Sequence, residues 1–370
     1  MKPACPTTVS APPAIISSSA PGRICLFGEH QDYLRLPVIA MAVDLRVNIE
    51  GRRRDDNQMR MTLTDIGETF EFNPNEPFTY RHNRDYVPAA ANVLARLHGV
   101  SWPAGYDIEV TGRIPINAGA SSSSALQIAW TAFLLAAAGD PRAAEPEFVA
   151  HVAQFSEVGE FGSPGGMMDH YSSALGGVVY LDCLEPIGWE RLPDTIGPFV
   201  LIDSGTPKAT NEVLGRVRKG VEAAATAAGI NLHDAGAPSP LLNVNPAKLP
   251  APENAEQDAM LRAALRNRDI TREARAAMLS GAAPAEIGKL LDAHHEQLAR
   301  GLGISTERID ALLATARAAG AAGGKINGSG GGGSCFALAP DNADAVAEAI
   351  RAQGCRADVV RPGEGLRVTT

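Results

Sequence analysis

Three features of the sequence predict an α+β fold: strand-like alternation between Arg23 and Glu50, long Ala-rich helical faces beyond it, and apolar content sufficient for a large core. Of the 370 residues, 45% are hydrophobic, 20% charged and 5% aromatic. A chain of that length favours one large or two medium domains over a small module.

The elements follow in order. Residues 1–19, rich in Ser and Pro, read as a flexible tail. Ile24 to Phe27, Val38 to Val43 and Arg46 to Glu50 read as strands; in the last, apolar Val47 and Ile49 alternate with polar neighbours. Gly51 to Asn57 is a charged hairpin tip whose three arginines sit beside two aspartates, and Met59 to Phe72 is the returning strand. Tyr86 to His98 carries Val87, Ala90, Val93, Leu94 and Leu97 on one helical face, and Asp107 to Val110 alternates as a strand. Ser122 to Ala138 predicts a buried helix and Glu145 to Gly159 another, with strands at 177–182 and 199–203. After about Ser204 the chain turns helical, at 259–267, 287–302 and 305–319, around a Pro- and Asn-rich connector at 238–252. It closes with a Gly-rich run, a strand at 335–338, a helix at 343–353 and a strand at 357–360. The N-terminal half is therefore mixed and the C-terminal half helix-rich.

Charge and cysteine usage exclude several function classes. With 33 basic and 42 acidic residues, the net charge of −9 repels phosphate backbones and anionic lipid, so neither nucleic acid nor membrane is an expected partner. No run approaches the roughly 20 apolar residues of a spanning helix. Pro3, Pro6, Pro12 and Pro13 break the N-terminus, which lacks the apolar stretch of a secretory signal. A cytoplasmic protein is expected. Five scattered cysteines fit reduced thiols, not a disulfide scaffold or a zinc cluster. His294 and His295 are adjacent, so on a helix they diverge by about 100° and make poor joint metal ligands.

Four segments carry chemistry. In the first, Arg113 to Ala125, a strand feeds a small-residue loop that opens the long apolar helix. Such a loop brings backbone N–H groups close to a ligand, and the helix start adds about half a positive charge. One serine would serve as an N-cap; Ser121, Ser122, Ser123 and Ser124 together, after Asn117-Ala118-Gly119-Ala120, point to anion binding. The loop is not a GxxxxGK[ST] phosphate loop. In the second, Gly328-Ser329-Gly330-Gly331-Gly332-Gly333 precedes an apolar strand directly, which suits close backbone approach better than a linker. In the third, Asp169 follows a Gly/Pro bend and two methionines, and residue type alone leaves both a helix cap and a base open. In the fourth, Glu29, His30 and Asp32 follow a strand; they read equally as a capped turn or as acceptors for the several hydroxyls of a polyol.

Together these segments resemble the three motifs of the GHMP small-molecule kinases in order and spacing. Pro21-Gly22-Arg23 with Gly28-Glu29-His30-Gln31-Asp32-Tyr33 is closest to the galactokinase branch, and Glu157, twelve positions before Asp169, adds to the likeness. So do Ser173 to Gly177, Leu181-Asp182-Cys183, His294 to Leu298 and Ser305 to Asp310. The resemblance implies two lobes, a tail at 1–19, an ATP-binding catalytic domain at 20–204 and a C-terminal domain at 205–370, with the active site in the cleft between lobes.

The resemblance also implies roles. Asp169 matches the catalytic aspartate, and Arg23 the arginine that steadies it and the transferring phosphoryl group. Gly119 and Ser121 to Ser124 match phosphate binding, and Gly328, Ser329, Gly330 and Gly331 the third motif. Ser123 and Glu157 match Mg²⁺ ligands, with a one-residue ambiguity between Ser123 and Ser124. Glu29, His30, Asp32 and Gly166 match sugar-holding positions. The implied function is ATP- and Mg²⁺-dependent phosphorylation of a monosaccharide hydroxyl, most directly the anomeric hydroxyl of galactose or a related sugar. A mevalonate-type acceptor and a catalytically silent sugar and ATP sensor are the alternatives. Departures bear on the acceptor. Leu34-Arg35-Leu36 stand where Asn-Gly-Gly is usual, with the potential to reshape the sugar pocket; Gly331 replaces an aromatic; and Asp203 to Thr210 looks more like the mevalonate kinase version.

Overall fold

The computed structural model describes residues 12–82, 85–115, 119–208, 210–232 and 238–370. The expected tail up to residue 11, Asn117-Ala118 of the serine loop and Ala209 lie outside the described residues.

Two sheets carry the described residues. The larger sheet is built from β1 (Ile15–Phe27), β2 (Val38–Arg53), β3 (Met59–Leu63), β4 (Glu68–Phe72) and, after helix α1 (Tyr86–His98), β5 (Tyr106–Gly112). Its order is β1-β2-β5-β3-β4. Helices α2 (Ser122–Ala137), α3 (Pro146–Gln154) and α4 (Met168–Leu175) follow, and then β6 (Val178–Leu181), which pairs with β2, and β7 (Trp189–Leu192). The smaller sheet, wholly antiparallel, starts with β8 (Phe199–Asp203). Helices α5 (Thr210–Ala227), α6 (Ala255–Leu279), α7 (Pro284–Glu296) and α8 (Glu307–Ala318) lead to β9 (Gly323–Asn327), β10 (Ser334–Leu338), α9 (Ala343–Arg351) and β11 (Arg356–Val360). This sheet runs β11-β8-β10-β9, and a last strand, β12 (Arg367–Thr369), returns to the large sheet beside β1.

The expected α+β class agrees with this architecture, and several boundaries are corrected by pairing. Ile15 to Ser19 is strand, not tail, because Ser17, Ser18 and Ser19 pair with both β2 and β12. Met59 to Phe72 is a hairpin of two strands. Among the described residues, Phe199 to Asp203, expected in the first domain, pairs with the strands of the small sheet. Helix α5 was not expected, although Val213, Val217, Val221 and Ala224 mark one helical face.

Helix α2 matters most for the site. Nearly every residue from Ala125 to Ala137 is buried, against β1, α3 and α4. The indole N–H groups of Trp130 and Trp102 donate to Val87 and Leu134 carbonyls at 2.8 Å each, so two large side chains are dry without an unsatisfied donor. Truncating Trp130 to Ala would cost about 3–5 kcal/mol. A helix gripped along its length cannot move its first turn, and that turn opens on a cleft. The four described cysteines are buried free thiols. Among the described residues no helix is long and apolar enough to cross a membrane.

Candidate active site

The turn after β1, the starts of α2, α4 and α5, and the loop between β9 and β10 meet around one cleft of about 1230 Å³, counting its solvent-open mouth. Asp169 sits in the first turn of α4. Arg23 holds it with two parallel hydrogen bonds of 2.8 Å, from Nε to Oδ1 and from Nη2 to Oδ2, and Nη1 donates to the Gly119 carbonyl at 2.6 Å. Ser121 Oγ adds a third bond to Asp169 Oδ2, 2.6 Å long. Burial pushes the Asp169 pKa up, but the Arg23 charge and the hydrogen bonds from Arg23 and Ser121 outweigh it and leave it below the usual carboxylate range. The side chain is 31% exposed, towards the cleft.

Ser121 precedes α2 in the left-handed region, at φ 56°, and its hydroxyl serves Asp169 instead of capping the helix. Gly119, at φ 87°, is pressed so closely on Asn327 O and Ser334 Oγ that a Cβ would lie 3.0 Å from each. The serine loop is thereby pinned to the small sheet. Of the two candidate metal serines, Ser123 is exposed and Ser124 buried, and both line the cleft.

Asp32 occupies a different setting. It is buried, with Oδ1 accepting from Tyr33 N at 2.9 Å and Oδ2 from Met168 N at 3.2 Å. Gly166 lies against this carboxylate: a Cβ there would be 2.0 Å from Oδ2, so any other residue would displace Asp32 from this position. Burial and the Asp169 charge raise the Asp32 pKa, only partly opposed by the two backbone N–H groups and Arg23. His30 Nε2 lies 3.0 Å from the Ser329 carbonyl and Nδ1 2.7 Å from the Tyr33 hydroxyl. A carbonyl only accepts, so Nε2 carries the proton and Nδ1 accepts from Tyr33. Burial pushes the His30 pKa down to about 4, the Ser329 carbonyl opposing and the Arg216 and Lys325 charges adding.

Glu29 is placed unlike Asp32. Its Oε1 is held by the buried Lys325 ammonium, which also donates to the Cys25 and Ile326 carbonyls at 2.9 Å. This carboxylate is thus tied to the backbone of β1 and β9, although Glu29 borders the cleft. Gly328 and Ser329 line the cleft, whereas Gly330 and Gly331 pack on Ile304 and Val213 behind it. Leu34 and Leu36 do not reshape the pocket: both are buried in the core of the small sheet and its helices. Tyr86 and Asn211 line the cleft without having been expected there, and so do Tyr33, Lys208 and Thr210, which belong to segments singled out in the sequence without a role of their own.

Glu157 enters from a π-helical turn, Phe155–Gly159, that continues α3, and its Oε2 lies 2.7 Å from His170 Nε2. Among the described residues no three His, Cys, Asp or Glu side chains gather as a metal cage. Ser123 and Glu157 offer a hydroxyl and a carboxylate to the same cleft. Such hard oxygen donors suit Mg²⁺ when phosphates and water complete its shell.

Comparison with known proteins bears on this geometry. The family profile described as GHMP kinases N terminal domain matches residues 85–177, and that for GHMP kinases C terminal matches 282–354. The mevalonate kinase of Thermococcus onnurineus is 30% identical over 365 residues, covering 95% of this chain and 98% of that protein. The chain belongs to the GHMP kinases. It is a small-molecule phosphotransferase of that family. A galactokinase galactose-binding signature also matches, at residues 7–53, and the galactokinase of Haemophilus influenzae strain Rd is 28% identical over 358 residues, covering 90% of this chain and 88% of that protein. Lactococcus lactis galactokinase in complex with galactose shares the fold of this GHMP kinase with a TM-score of 0.81 at 22% identity, covering 95% of both chains. Methanococcus jannaschii mevalonate kinase does so with a TM-score of 0.72 at 18%, covering 96% of this chain and all of the other. The galactokinase and mevalonate kinase relatives are similar to about the same degree, which leaves the acceptor to the chemistry of the pocket.

Proposed function

We propose that this GHMP kinase is a sugar kinase that transfers the γ-phosphate of ATP to a monosaccharide hydroxyl, the anomeric one of galactose or a related neutral sugar. The observation that carries this reading is Asp32, buried on Gly166 with one backbone N–H on each oxygen. An ionised carboxylate has about four acceptor positions, so two are left for adjacent sugar hydroxyls. A mevalonate-type acceptor brings its own carboxylate, which the ionised Asp32 would repel.

In this reading Asp169 accepts the proton of the attacking hydroxyl, and Arg23 keeps the carboxylate ionised while neutralising charge beside the transferring group. Gly119 and Ser121 to Ser124 receive the phosphates at the start of α2. Ser123 and Glu157 hold Mg²⁺, which when bound offsets phosphate charge. His30, through Tyr33 and Ser329, sets the floor of the sugar side, and Gly328 and Ser329 close the third-motif side. The proposal includes a cytoplasmic site of action, where ATP is supplied.

A coupled ADP-release screen over galactose, arabinose, fucose, uronic acids, amino sugars and mevalonate tests it. Turnover is expected with a neutral sugar. Turnover of mevalonate alone would move the enzyme to that branch, and tight ATP and sugar binding without ADP release would make it a sensor.

A further inference from the structure

The proposed roles use Asp169 and Glu157 but leave unexplained His170, which directly follows Asp169 and contacts Glu157. His170 is 2% exposed, its Nε2 lies 2.7 Å from Glu157 Oε2, and its Nδ1 is buried without a hydrogen-bond partner. A carboxylate oxygen accepts, so the ring proton sits on Nε2 and the whole polar engagement of this buried ring is directed at Glu157. A histidine retained for packing alone would not need that orientation.

We propose that His170 is a positioning residue for the metal: it occupies one oxygen of Glu157 and fixes the carboxylate plane, so that the other oxygen is presented to Mg²⁺ in the cleft. This rests on the reading of Glu157 as a Mg²⁺ ligand. The placement follows from two local features. The π-helical turn Phe155–Gly159 gives Glu157 a direction a regular helix would not, its wider loop closed by Glu160 N donating to Phe155 O at 2.7 Å. In the first turn of α4, neighbouring side chains diverge by about 100°, so Asp169 faces Arg23 and Ser121 while His170 faces Glu157. One rigid turn thus sets the distance between the proton acceptor and the metal ligand. Partners that orient a ligand in this way are typically worth about 10- to 100-fold in metal affinity.

The test is Mn²⁺ binding to the ATP-loaded protein, read by electron paramagnetic resonance, in the wild type, His170→Leu, His170→Gln and Glu157→Gln. His170→Leu should weaken Mn²⁺ about 10- to 100-fold and raise the Mg²⁺ requirement for turnover while the acceptor KM stays put. His170→Gln, which keeps an N–H donor, should recover most of the loss. Weak binding in Glu157→Gln with normal binding in His170→Leu overturns the positioning role alone; unchanged binding in Glu157→Gln overturns the ligand reading beneath it. Should His170→Leu fail to fold, the wild-type imidazole ¹H–¹⁵N spectrum decides: the Nε2–H signal that His170→Gln lacks should shift with Mg²⁺ plus ATP and not with ATP alone. No difference between the two additions overturns the proposal.

Discussion

Asp169 and Asp32 border the same cleft, and their surroundings push them in opposite directions. Asp169 is held by a guanidinium and a hydroxyl, and its pKa lies below the usual range despite burial. Asp32 is held by two backbone N–H groups, next to a neutral histidine and within the field of Asp169, and its pKa is raised, burial being the largest cause. The difference teaches that a carboxylate's charge state is set by what surrounds it: the charged partner favours the ionised form of Asp169, as the proposed proton acceptor needs, and the directional, uncharged ones around Asp32 fit the proposed hydroxyl recognition.

Four measurements would break or sharpen that contrast. The largest effect is expected for Asp169→Asn, with kcat falling about 10²- to 10⁴-fold while ATP affinity by calorimetry stays within a few-fold; equal activity removes Asp169 from the chemistry. Asp32→Asn should act on the acceptor instead, lowering kcat/KM for the sugar about 10- to 100-fold through hydrogen bonds to a charged group and leaving KM for ATP unchanged. A matching rise in both KM values would show that the two aspartates are not divided in this way.

Arg23→Gln tests the cause of the lowered pKa. In the proposed mechanism activity requires the ionised form of Asp169, so the acid limb of the wild-type kcat/KM profile should fall below about pH 4, the ordinary aspartate value. Without the guanidinium, burial is opposed mainly by the Ser121 hydrogen bond and the limb should move to higher pH. A limb that stays put assigns it to another group.

The smallest effect is on stability, and its sign differs between the two. Asp169 has a folded pKa below its unfolded one, so its contribution is present above about pH 4 and is lost as pH falls through the lowered value. Asp32 has a folded pKa above its unfolded one, so its contribution is complete in acid and is lost as pH rises through the raised value. The Tm difference between the wild type and Asp169→Asn should therefore widen from acid towards neutral pH, and that between the wild type and Asp32→Asn should change in the opposite sense. Parallel curves would refute the contrast.

Much of this was legible in the chain. The α2 helix was readable because a run of apolar residues after a serine cluster has one stable solution, and Arg23, Asp32, Gly119, Ser121, Glu157, Gly166 and Asp169 were singled out and border one cleft. Helix α5 was overlooked because its charged faces and interior Gly215 and Gly220 dilute a periodic signal that is present. Glu29 and Asp32 follow the same strand and border the same cleft, but a partner 296 residues away, Lys325, holds Glu29 Oε1, while Oε2 is buried without a hydrogen bond. Leu34 and Leu36 looked like pocket residues by position and instead fill the core beside the small sheet.

Residue types and spacing by themselves determined the strands, the buried helix and the small-residue loops, because these depend on local periodicity and backbone freedom. They also marked Glu29, Asp32 and Asp169 as candidate carboxylates, while Glu157 and the role of Asp169 came from the family resemblance. Only the tertiary structure decided which carboxylate meets a cation and which meets backbone N–H groups. Those partners lie far apart in sequence, 146 residues for Arg23 and Asp169 and 136 for Asp32 and Met168, and the field at a buried charge is made by whatever the fold brings within a few ångströms of it.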